Sequence, residues 1–566
     1  MTGDRSPDAA SSPETPTVAS ALVDRLLADG IDTVFGIPGK QTLPLNRALD
    51  RRNARFVVAR HETAVTHQAW GYAETRPPGE MAATVVVPGP GDMNAMNGLK
   101  NALNDAVPLL HLAVETEHDV RGGDGIHETP PETYDTVVKE NVLVETAQGV
   151  IPAIARAIRT AREHPQGPVR VGIPKDFLAE SVPQAAVGDL PVPEPDRPDP
   201  DAVADAADRL AAAVNPVILA GGGVRRSGAS TALVALAERL DAPVVTTYKG
   251  KGTIPEDHPL SAGVLCGGAS TELTELLASA DVGLAVGSDL DAVATRHFSV
   301  PLPDELVHVT LGVDDIGVGY DPTVGIVADA GATIAAIGDR LPEAPSEHDA
   351  NGVERARSVR SADRERFDRL IEEARGDDPM PSIEALRAIR EALPRETILT
   401  ADAGGSRLWT LVSVPAFGPD RYVNPGSWAT MGTALPSAIG AKLANPDAPV
   451  AAIVGDGGLL MCVHELHTLA AENVDVTVLA LNNDDYAIIS DEASRSYGFR
   501  DGRYGWSDAH LDLSAIAEGM GVNARRITDA DAIPAAVTDA LADDGPNLIE
   551  IVTDPAEPQA SEWMRR

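Results

Sequence analysis

The stretch that decides the fold is PVAAIVGDGGLLMCVHELHTLAAENVDVTVLALNN, Pro449 to Asn483. An apolar run, Val450 to Val454, ends in an acid set among glycines, Gly455-Asp456-Gly457-Gly458. A helical pattern around His464 to Glu472 follows. A second apolar run, Val476 to Leu481, then ends in Asn482-Asn483. This is strand, helix, strand: a right-handed crossover between parallel strands. In such sheets ligands bind beyond the carboxyl ends of the strands. Asp456 and Asn483 both stand at such ends, 483 − 456 = 27 residues apart, about one βαβ unit. Their oxygens can converge on one hard cation. Mg²⁺ takes few protein oxygens and fills its shell with phosphate oxygens and water. The glycines beside Asp456 let backbone N–H groups approach those phosphates. The pair reads as a site for Mg²⁺ and a diphosphate. Either half alone is an ordinary turn or strand end. The spacing and the pattern between them carry the specificity.

The rest of the chain sets bounds on that reading. Its 566 residues suggest roughly three domains of ~150 to 200 residues each. Acids number 85 against 46 bases, a formal charge of −39. The acids are spread along the chain rather than gathered in a tail. Such a surface keeps a protein soluble at high salt, where the screening length shrinks to ~3 Å at 1 M. We expect a salt-adapted cytoplasmic protein. Nucleic acid and anionic membrane are excluded as partners for such a surface. The two cysteines, Cys266 and Cys462, indicate no disulfide framework and fit a reducing compartment. The first residues, MTGDRSPDAASSPETPT, have no apolar core and are no signal peptide. No apolar run approaches membrane-spanning length.

Two Pro- and acid-rich stretches punctuate the chain. One is LPVPEPDRPDPD, Leu190 to Asp201; the other runs from about Pro342 to Pro381 and contains a surface helix, VERARSVRSADRERFDRLIEEA. The expected organisation is a disordered tail (1–16), a first domain (17–186), a linker (187–201) and a middle domain (202–342). A linker with the surface helix (343–381) and a third domain (382–556) complete it. Each domain alternates β-branched runs with helical patterns: FVVAR, MAATVVV and PLLHLAV; PVILA, PVVTT and VGLAVG; TILTAD, VAAIV and VTVLAL. The fold class is α/β, with three open parallel sheets.

The first domain adds a third group of motifs. Thr33-Val34-Phe35-Gly36-Ile37-Pro38-Gly39 is a strand entering a glycine turn. Glu62 follows a strand end and opens a helical stretch through His67, Trp70, Gly71 and Tyr72. Taken alone, Glu62 is an acid favoured at a helix start. Pro88-Gly89-Pro90-Gly91 follows the strand MAATVVV. The segments VFGIPG, HE followed by A..H.A.GYA, PGPG..N...GL.NA and GPVRVGIPKD resemble the pyrimidine-binding domain of thiamine-diphosphate (ThDP) enzymes. TTYKGKGTIPEDHPL and PVILAGGGV resemble their middle domain. WATMGTALPSAIGAKLA and the Asp456 segment resemble their diphosphate-binding domain. The resemblance covers about Thr17 to Ile551. Within the family the chain looks most like the large, catalytic subunit of acetolactate synthase, especially in PVVTTYKGKG..PEDHPL and TMG.ALP.AIGA.

The resemblance implies roles residue by residue. ThDP supplies the hard chemistry as a thiazolium carbanion stabiliser. Glu62 corresponds to the glutamate that hydrogen-bonds the aminopyrimidine and favours its imino tautomer, a general acid–base role. Met431, in Ala429-Thr430-Met431-Gly432, corresponds to the apolar wedge under the thiazolium; otherwise it is an ordinary core methionine. The Ala429 carbonyl corresponds to the acceptor for the cofactor's amino group. Asp456 and Asn483 correspond to metal ligands, with the Asp485 backbone carbonyl as the next. Gly or Ser is common at that last place, and a backbone contact survives any side chain. Gly455, Gly457 and Gly458, with Ala403-Gly404-Gly405 at another strand end, correspond to diphosphate loops. In the family the glutamate comes from one subunit and the metal site from another. A homodimer or homotetramer is implied, and the synthases also take a regulatory small subunit.

Some residues depart from the synthase pattern. Lys40 stands where Gly is usual, either as a ligand for a carboxylate or as a solvated lysine. Pro88 replaces a small hydroxyl residue. His127 stands near the place of a glutamine, either structural or facing the cofactor. Lys139 has a family counterpart and is a candidate for the substrate channel. The synthases bind FAD through an Arg-Phe-Asp-Asp-Arg-like run. Gly287-Ser288-Asp289-Leu290-Asp291-Ala292 stands there instead, which weighs against FAD. Three functions remain open. The first is acetolactate synthase chemistry, joining pyruvate's two-carbon unit to a second 2-oxo acid in branched-chain amino-acid synthesis. The second is simple 2-oxo-acid decarboxylation; the absence of an adjacent His-His pair favours ligation over it. The third is a non-catalytic nucleotide-binding protein, against which Glu62, Asp456 and Asn483 together argue.

Overall fold

The computed structural model describes residues 16–123, 125–182, 188, 190–195, 197–342, 351–374 and 379–566. The expected tail, apart from Pro16, and parts of both expected linkers lie outside the described residues.

The first sheet holds β1 (Thr33–Gly36), β2 (Arg55–Val58), β3 (Ala83–Val86), β4 (Leu109–Glu115), β5 (Glu140–Leu143) and β6 (Pro168–Pro174). The second holds β7 (Val217–Ala220), β8 (Val244–Thr247), β9 (Ser261–Leu265), β10 (Val282–Val286), β11 (Glu305–Thr310) and β12 (Val324–Val327). The third holds β13 (Ile398–Ala401), β14 (Tyr422–Val423), β15 (Val450–Gly455), β16 (Thr477–Asn482), β17 (Asn523–Ile527) and β18 (Asn547–Val552). Every pairing within them is parallel. The α/β fold class with three open parallel sheets is therefore as expected. The central strands are buried along their length and mostly apolar, as strands covered by helices on both faces must be.

The first sheet runs β2-β1-β3-β4-β6-β5 and the third β14-β13-β15-β16-β18-β17, the same order. The middle sheet runs β12-β11-β10-β7-β8-β9. Read from its other edge, that is the 3-2-1-4-5-6 order of dinucleotide folds. The strand order reverses between β1 and β3, between β7 and β10, and between β13 and β15. Ligand sites of such sheets lie at these switch points.

Two helices lock the first sheet's unit to the third. Glu62–Glu74 follows β2, and Ala434–Ala444 precedes β15. They touch backbone to backbone through glycine. A Cβ on Gly440 would stand 1.8 Å from the Gln68 carbonyl oxygen, and one on Gly71 2.2 Å from that of Ser437. The expected surface helix is Gly352–Glu373. It is not solvated all round: Ala356 and Val359 pack in the middle core and Leu370 in the third. The third core also takes in Ala560, Trp563 and Met564, beyond the expected end at 556. Cys266 and Cys462 are both buried and free. Among the described residues no helix is long and apolar enough to cross a membrane.

Candidate functional site

A cavity of about 360 Å³ opens at the switch point of the third sheet, and all of its walls come from residue 382 onward. Ala403, Gly404 and Gly405, after β13, form one side. Gly455, Asp456, Gly457 and Gly458, at the end of β15, form another. Ala429 and Met431 enter from the loop before the Ala434 helix, and Asn483 and Asp485 from the end of β16. These are the residues the sequence marked for diphosphate, wedge and metal, and the fold gathers them. Small residues are required here: a Cβ on Gly457 would stand 2.4 Å from the Tyr486 ring. Gly404 sits at φ 116°, outside the range of ordinary side-chain residues.

Asp456 is buried, with Oδ1 accepting from the Gly457 N–H at 2.7 Å and Oδ2 from the Asn483 N–H at 3.1 Å. The Asn483 Oδ1 accepts from the Asp485 N–H at 3.2 Å. Burial pushes the Asp456 carboxyl up to about 7, against the opposing pull of those N–H groups. A buried carboxylate without a cation is costly, and a divalent ion reverses that cost. Among the described residues no group of three or more His, Cys, Asp and Glu side chains is placed to hold a metal. The available donors are one carboxylate, one amide oxygen and backbone carbonyls. That set suits Mg²⁺ completed by phosphate and water, and it does not suit a thiolate- or imidazole-seeking metal.

Asp402 closes the TILTAD run just before that glycine loop, and the structure gives it a role the sequence did not single out. It is fully buried and accepts from the N–H groups of Ala403 (2.8 Å), Gly432 (3.0 Å) and Thr433 (3.1 Å) and from the Thr433 hydroxyl (3.1 Å). It ties the end of β13 to the loop that carries Ala429 and Met431. That loop is strained: Ala429 has φ 48°, a left-handed conformation costing ~1–2 kcal/mol. Glu557 and Gln559 also line the cavity, from the chain beyond β18. Burial pushes Glu557 up to about 7, and it accepts from the Ser382 N–H at 2.5 Å. No motif in the sequence pointed to either.

Glu62 opens its helix, and its Oε2 accepts from Asn94 Nδ2 at 3.0 Å. Gly91 leaves it room; a Cβ there would sit 3.2 Å from Oε1. Glu62 is not in the wall of the Asp456 cavity of its own chain. Lys40 is exposed just beyond β1. His127 is exposed at φ 64°, with its carbonyl packed against Gly89, beyond β3. Lys139 lies at the opposite end of the sheet, before β5. Its Nζ donates to the carbonyls of Glu163 (2.5 Å) and Pro165 (2.7 Å), so its charge is spent on backbone.

A second cavity, about 290 Å³, lies at the switch point of the middle sheet, lined by Gly222, Gly223, Gly287 and Ser288. Asp289, Asp291, Asp315 and Asp329 also line it, and burial with two neighbouring acids raises Asp289 to about 6. Arg225, Arg226 and Lys249 share that wall, so the lining carries both charge signs.

Three family profiles match the chain in order. They are the N-terminal TPP binding domain of thiamine pyrophosphate enzymes (residues 16–137), their central domain (203–337) and their C-terminal TPP binding domain (402–551). The chain is 30% identical over 559 residues to the acetolactate synthase large subunit of Parasynechococcus marenigrum, covering 96% of this chain and 88% of that one. It is 34% identical over 553 residues to the "Probable 2-ketoarginine decarboxylase AruI" of Pseudomonas aeruginosa (95% and 94% covered). It is 31% identical over 581 residues to the sulfoacetaldehyde acetyltransferase of Rhodobacter capsulatus (97% and 96% covered). In fold it matches an X-ray structure from Mycobacterium smegmatis, assigned as a thiamin diphosphate-dependent enzyme. The TM-score is 0.81 at 23% identity, over 96% of this chain and all of that one. With its three sheets and the gathered diphosphate loops, the chain belongs to the thiamine-diphosphate enzyme family, among relatives of the acetolactate synthase large subunit.

Proposed function

We propose that the protein is a ThDP- and Mg²⁺-dependent carboligase that decarboxylates a 2-oxo acid and joins the remaining unit to a second one, as acetolactate synthases do. The observation that carries it is the cavity between β13 and β15, where glycine loops, Met431, Asp456 and Asn483 meet. Bound there, the cofactor would supply a thiazolium carbon that attacks the oxo acid and accepts its electron pair. Asp456, Asn483 and the Asp485 carbonyl hold the cation that fixes the diphosphate. Gly404, Gly405, Gly457 and Gly458 give backbone room to its oxygens. Met431 would give the cofactor's rings an apolar support, and the Ala429 carbonyl would accept from its amino group. Glu62 moves the proton at the aminopyrimidine. Because Glu62 stands outside its own chain's cavity, the partner subunit's Glu62 serves it. Exposed apolar residues beside both halves support a second copy: Trp428, Met461 and Ile489 near the cavity, Leu43 and Met93 near Glu62. Dimer or tetramer, the site lies between subunits, and the location is cytoplasmic. Lys40 and His127, at the carboxyl ends of β1 and β3 where the Glu62 half lies, remain candidates for the substrate's carboxylate. Lys139 does not, since its ammonium is already bound.

The test is product analysis with pyruvate, ThDP and Mg²⁺ in molar salt. Acetolactate supports ligation; no consumption of any 2-oxo acid removes the reading. A second reading, simple decarboxylation of a 2-oxo acid with a cationic tail, rests on the likeness to the ketoarginine decarboxylase and on Asp485 and Glu557 in the cavity wall. Release of CO₂ and an aldehyde from 2-ketoarginine, without ligation, would establish it instead.

A further inference from the structure

We propose that Glu465 is a positioning residue for Glu62, acting as a carboxylate clamp on the strand end that presents it. The inference rests on the role given to Glu62 above. β2 is an edge strand, paired only with β1. In such a strand alternate N–H groups point inward and outward. The inward ones are satisfied: Arg55 N–H donates to the Asp32 carbonyl at 2.9 Å and Ala59 N–H to that of Gly36 at 3.2 Å. The outward ones would be left to water, as edges usually are. Here they meet two carboxylates from the third sheet's unit. Val58 N–H donates to Glu472 at 3.1 Å, and Arg60 N–H donates to Glu465 Oε1 at 2.8 Å. His61 N–H donates to the same Oε1 at 3.2 Å.

The two acids are seven residues apart on one helix, Glu465–Glu472, and so lie on one face about two turns apart. Glu465 is fully buried. Its Oε2 accepts from Gln68 Nε2 at 2.9 Å and the Thr468 hydroxyl at 2.7 Å, so both of its oxygens are held. Gln68 lies on the helix that Glu62 opens, and His61 is that helix's N-cap, its Nδ1 accepting from the Thr63 N–H. One carboxylate therefore grips the residues before, at and after the cap. Neighbouring contacts point the same way: Arg60 Nε donates to His467 Nδ1 at 2.8 Å, and the His61 and His464 rings lie 5.6 Å apart. Glu62 itself has no part in this clamp. Its carboxyl, which accepts from Asn94 Nδ2, stays outside the clamp and would be presented to a partner's cofactor from a fixed backbone. A carboxylate in both jaws is needed because four donors converge and a single amide oxygen cannot serve both sides.

The test uses the full-length enzyme with two readouts. One is hydrogen exchange of the Arg60 and His61 amides without cofactor. The other is the exchange rate of the thiazolium C2 proton of bound ThDP, with ThDP affinity measured alongside. Glu465→Gln keeps the volume but sets its amide nitrogen against either Gln68 or the Arg60–His61 donors. Expected are loss of protection at Arg60 and His61 and C2 exchange slowed about 10²-fold, as for ~1 Å misplacement, with ThDP affinity unchanged. Gln68→Glu with Glu465→Gln restores an acceptor opposite the amide nitrogen and is expected to restore both readouts. Wild-type protection and C2 exchange in Glu465→Gln would overturn the proposal. So would loss of ThDP binding in parallel with exchange, or a double variant no better than the single. Glu62→Gln is the control: if it leaves C2 exchange unaltered, the reading of Glu62 fails. If it slows exchange while Glu465→Gln does not, only the clamp fails.

Discussion

Glu62 and Asp456 are carboxylates built for different work. Glu62 is partly open and held by one side-chain donor, Asn94. Asp456 is buried and accepts from the backbone N–H groups of Gly457 and Asn483, a setting that suits a cation as its further partner. Glu62→Gln should keep ThDP and Mg²⁺ affinity and lose turnover by ~10²–10⁴-fold, the usual worth of a positioned acid–base group. Calorimetry and steady-state rates check it, and a fully active variant removes Glu62 from the mechanism. Asp456→Ala should instead weaken Mg²⁺-dependent ThDP binding by about 2–5 kcal/mol, since it strips a buried charge from its counterion. Unchanged affinity would contradict the metal assignment. The difference between the two sets also explains what the sequence could disclose. Asp456 and Asn483 were legible because one βαβ unit fixes their spacing and both lie at strand ends. Asp402 was half legible: its strand end was visible, but its lock on Gly432 and Thr433 needs contacts across thirty and thirty-one residues. Glu557 and Gln559 were not legible, because they reach the cavity from a segment with no strand or glycine signature of its own.

At the scale of elements, the crossing of Glu62–Glu74 and Ala434–Ala444 is the most constrained contact between the outer two units. Gly440→Ala gains ~1 kcal/mol in helix propensity. It also puts a methyl 1.8 Å from a backbone oxygen that cannot rotate away. Overpacking of ~1–3 kcal/mol should win, and thermal unfolding should show a lower Tm; an unchanged or higher Tm would mean the helices can part without cost. The Glu62–Glu74 helix carries His67, fully buried, with neither ring nitrogen hydrogen-bonded. Burial lowers its pKa to about 4 from an ordinary 6.5. Between those values the unfolded chain binds the proton and the folded one does not. Stability is therefore intact above pH 6.5 and falls as pH drops toward 4, by on the order of 3 kcal/mol. His67→Phe should flatten that acid limb of the Tm–pH curve; an identical limb would assign it to other groups. Element by element, β1 to β4, β7, β8, β10, β13, β15 and β16 were readable as apolar runs, whereas interior β11 and β18, interrupted by His308 and Glu550, were not. Nor were the edge strands β5, β9, β12, β14 and β17. β12 alternates buried and exposed, β17 is mostly exposed, and β14 is two residues long. Such strands carry little apolar signal and are defined by pairing, not by local sequence.

At the scale of the molecule, two facts meet. The outer sheets share one strand order, and Glu62 is not in the wall of its own chain's Asp456 cavity. On the proposed reading, a second copy would complete both sites at once, with two-fold symmetry. Each chain brings a formal charge of −39, so a dimer must hold 2 × 39 = 78 excess negative charges together. At low ionic strength that repulsion reaches across the interface; at ~1 M salt the screening length of ~3 Å confines it to near neighbours. Activity and association should therefore rise together with salt. Light scattering and turnover, measured from dilute buffer to molar KCl, should trace the same midpoint. A fully active monomer in dilute buffer would refute both the salt adaptation and the shared site. Mixing separates the two ideas. Glu62→Gln and Asp456→Ala chains, each inactive alone, should recover about a quarter of wild-type activity after dissociation and reassembly in high salt. Half of randomly paired dimers are mixed, and each mixed dimer has one of its two sites intact. No recovery after confirmed exchange of subunits would place Glu62 and Asp456 in the same chain's site and undo the two-subunit mechanism.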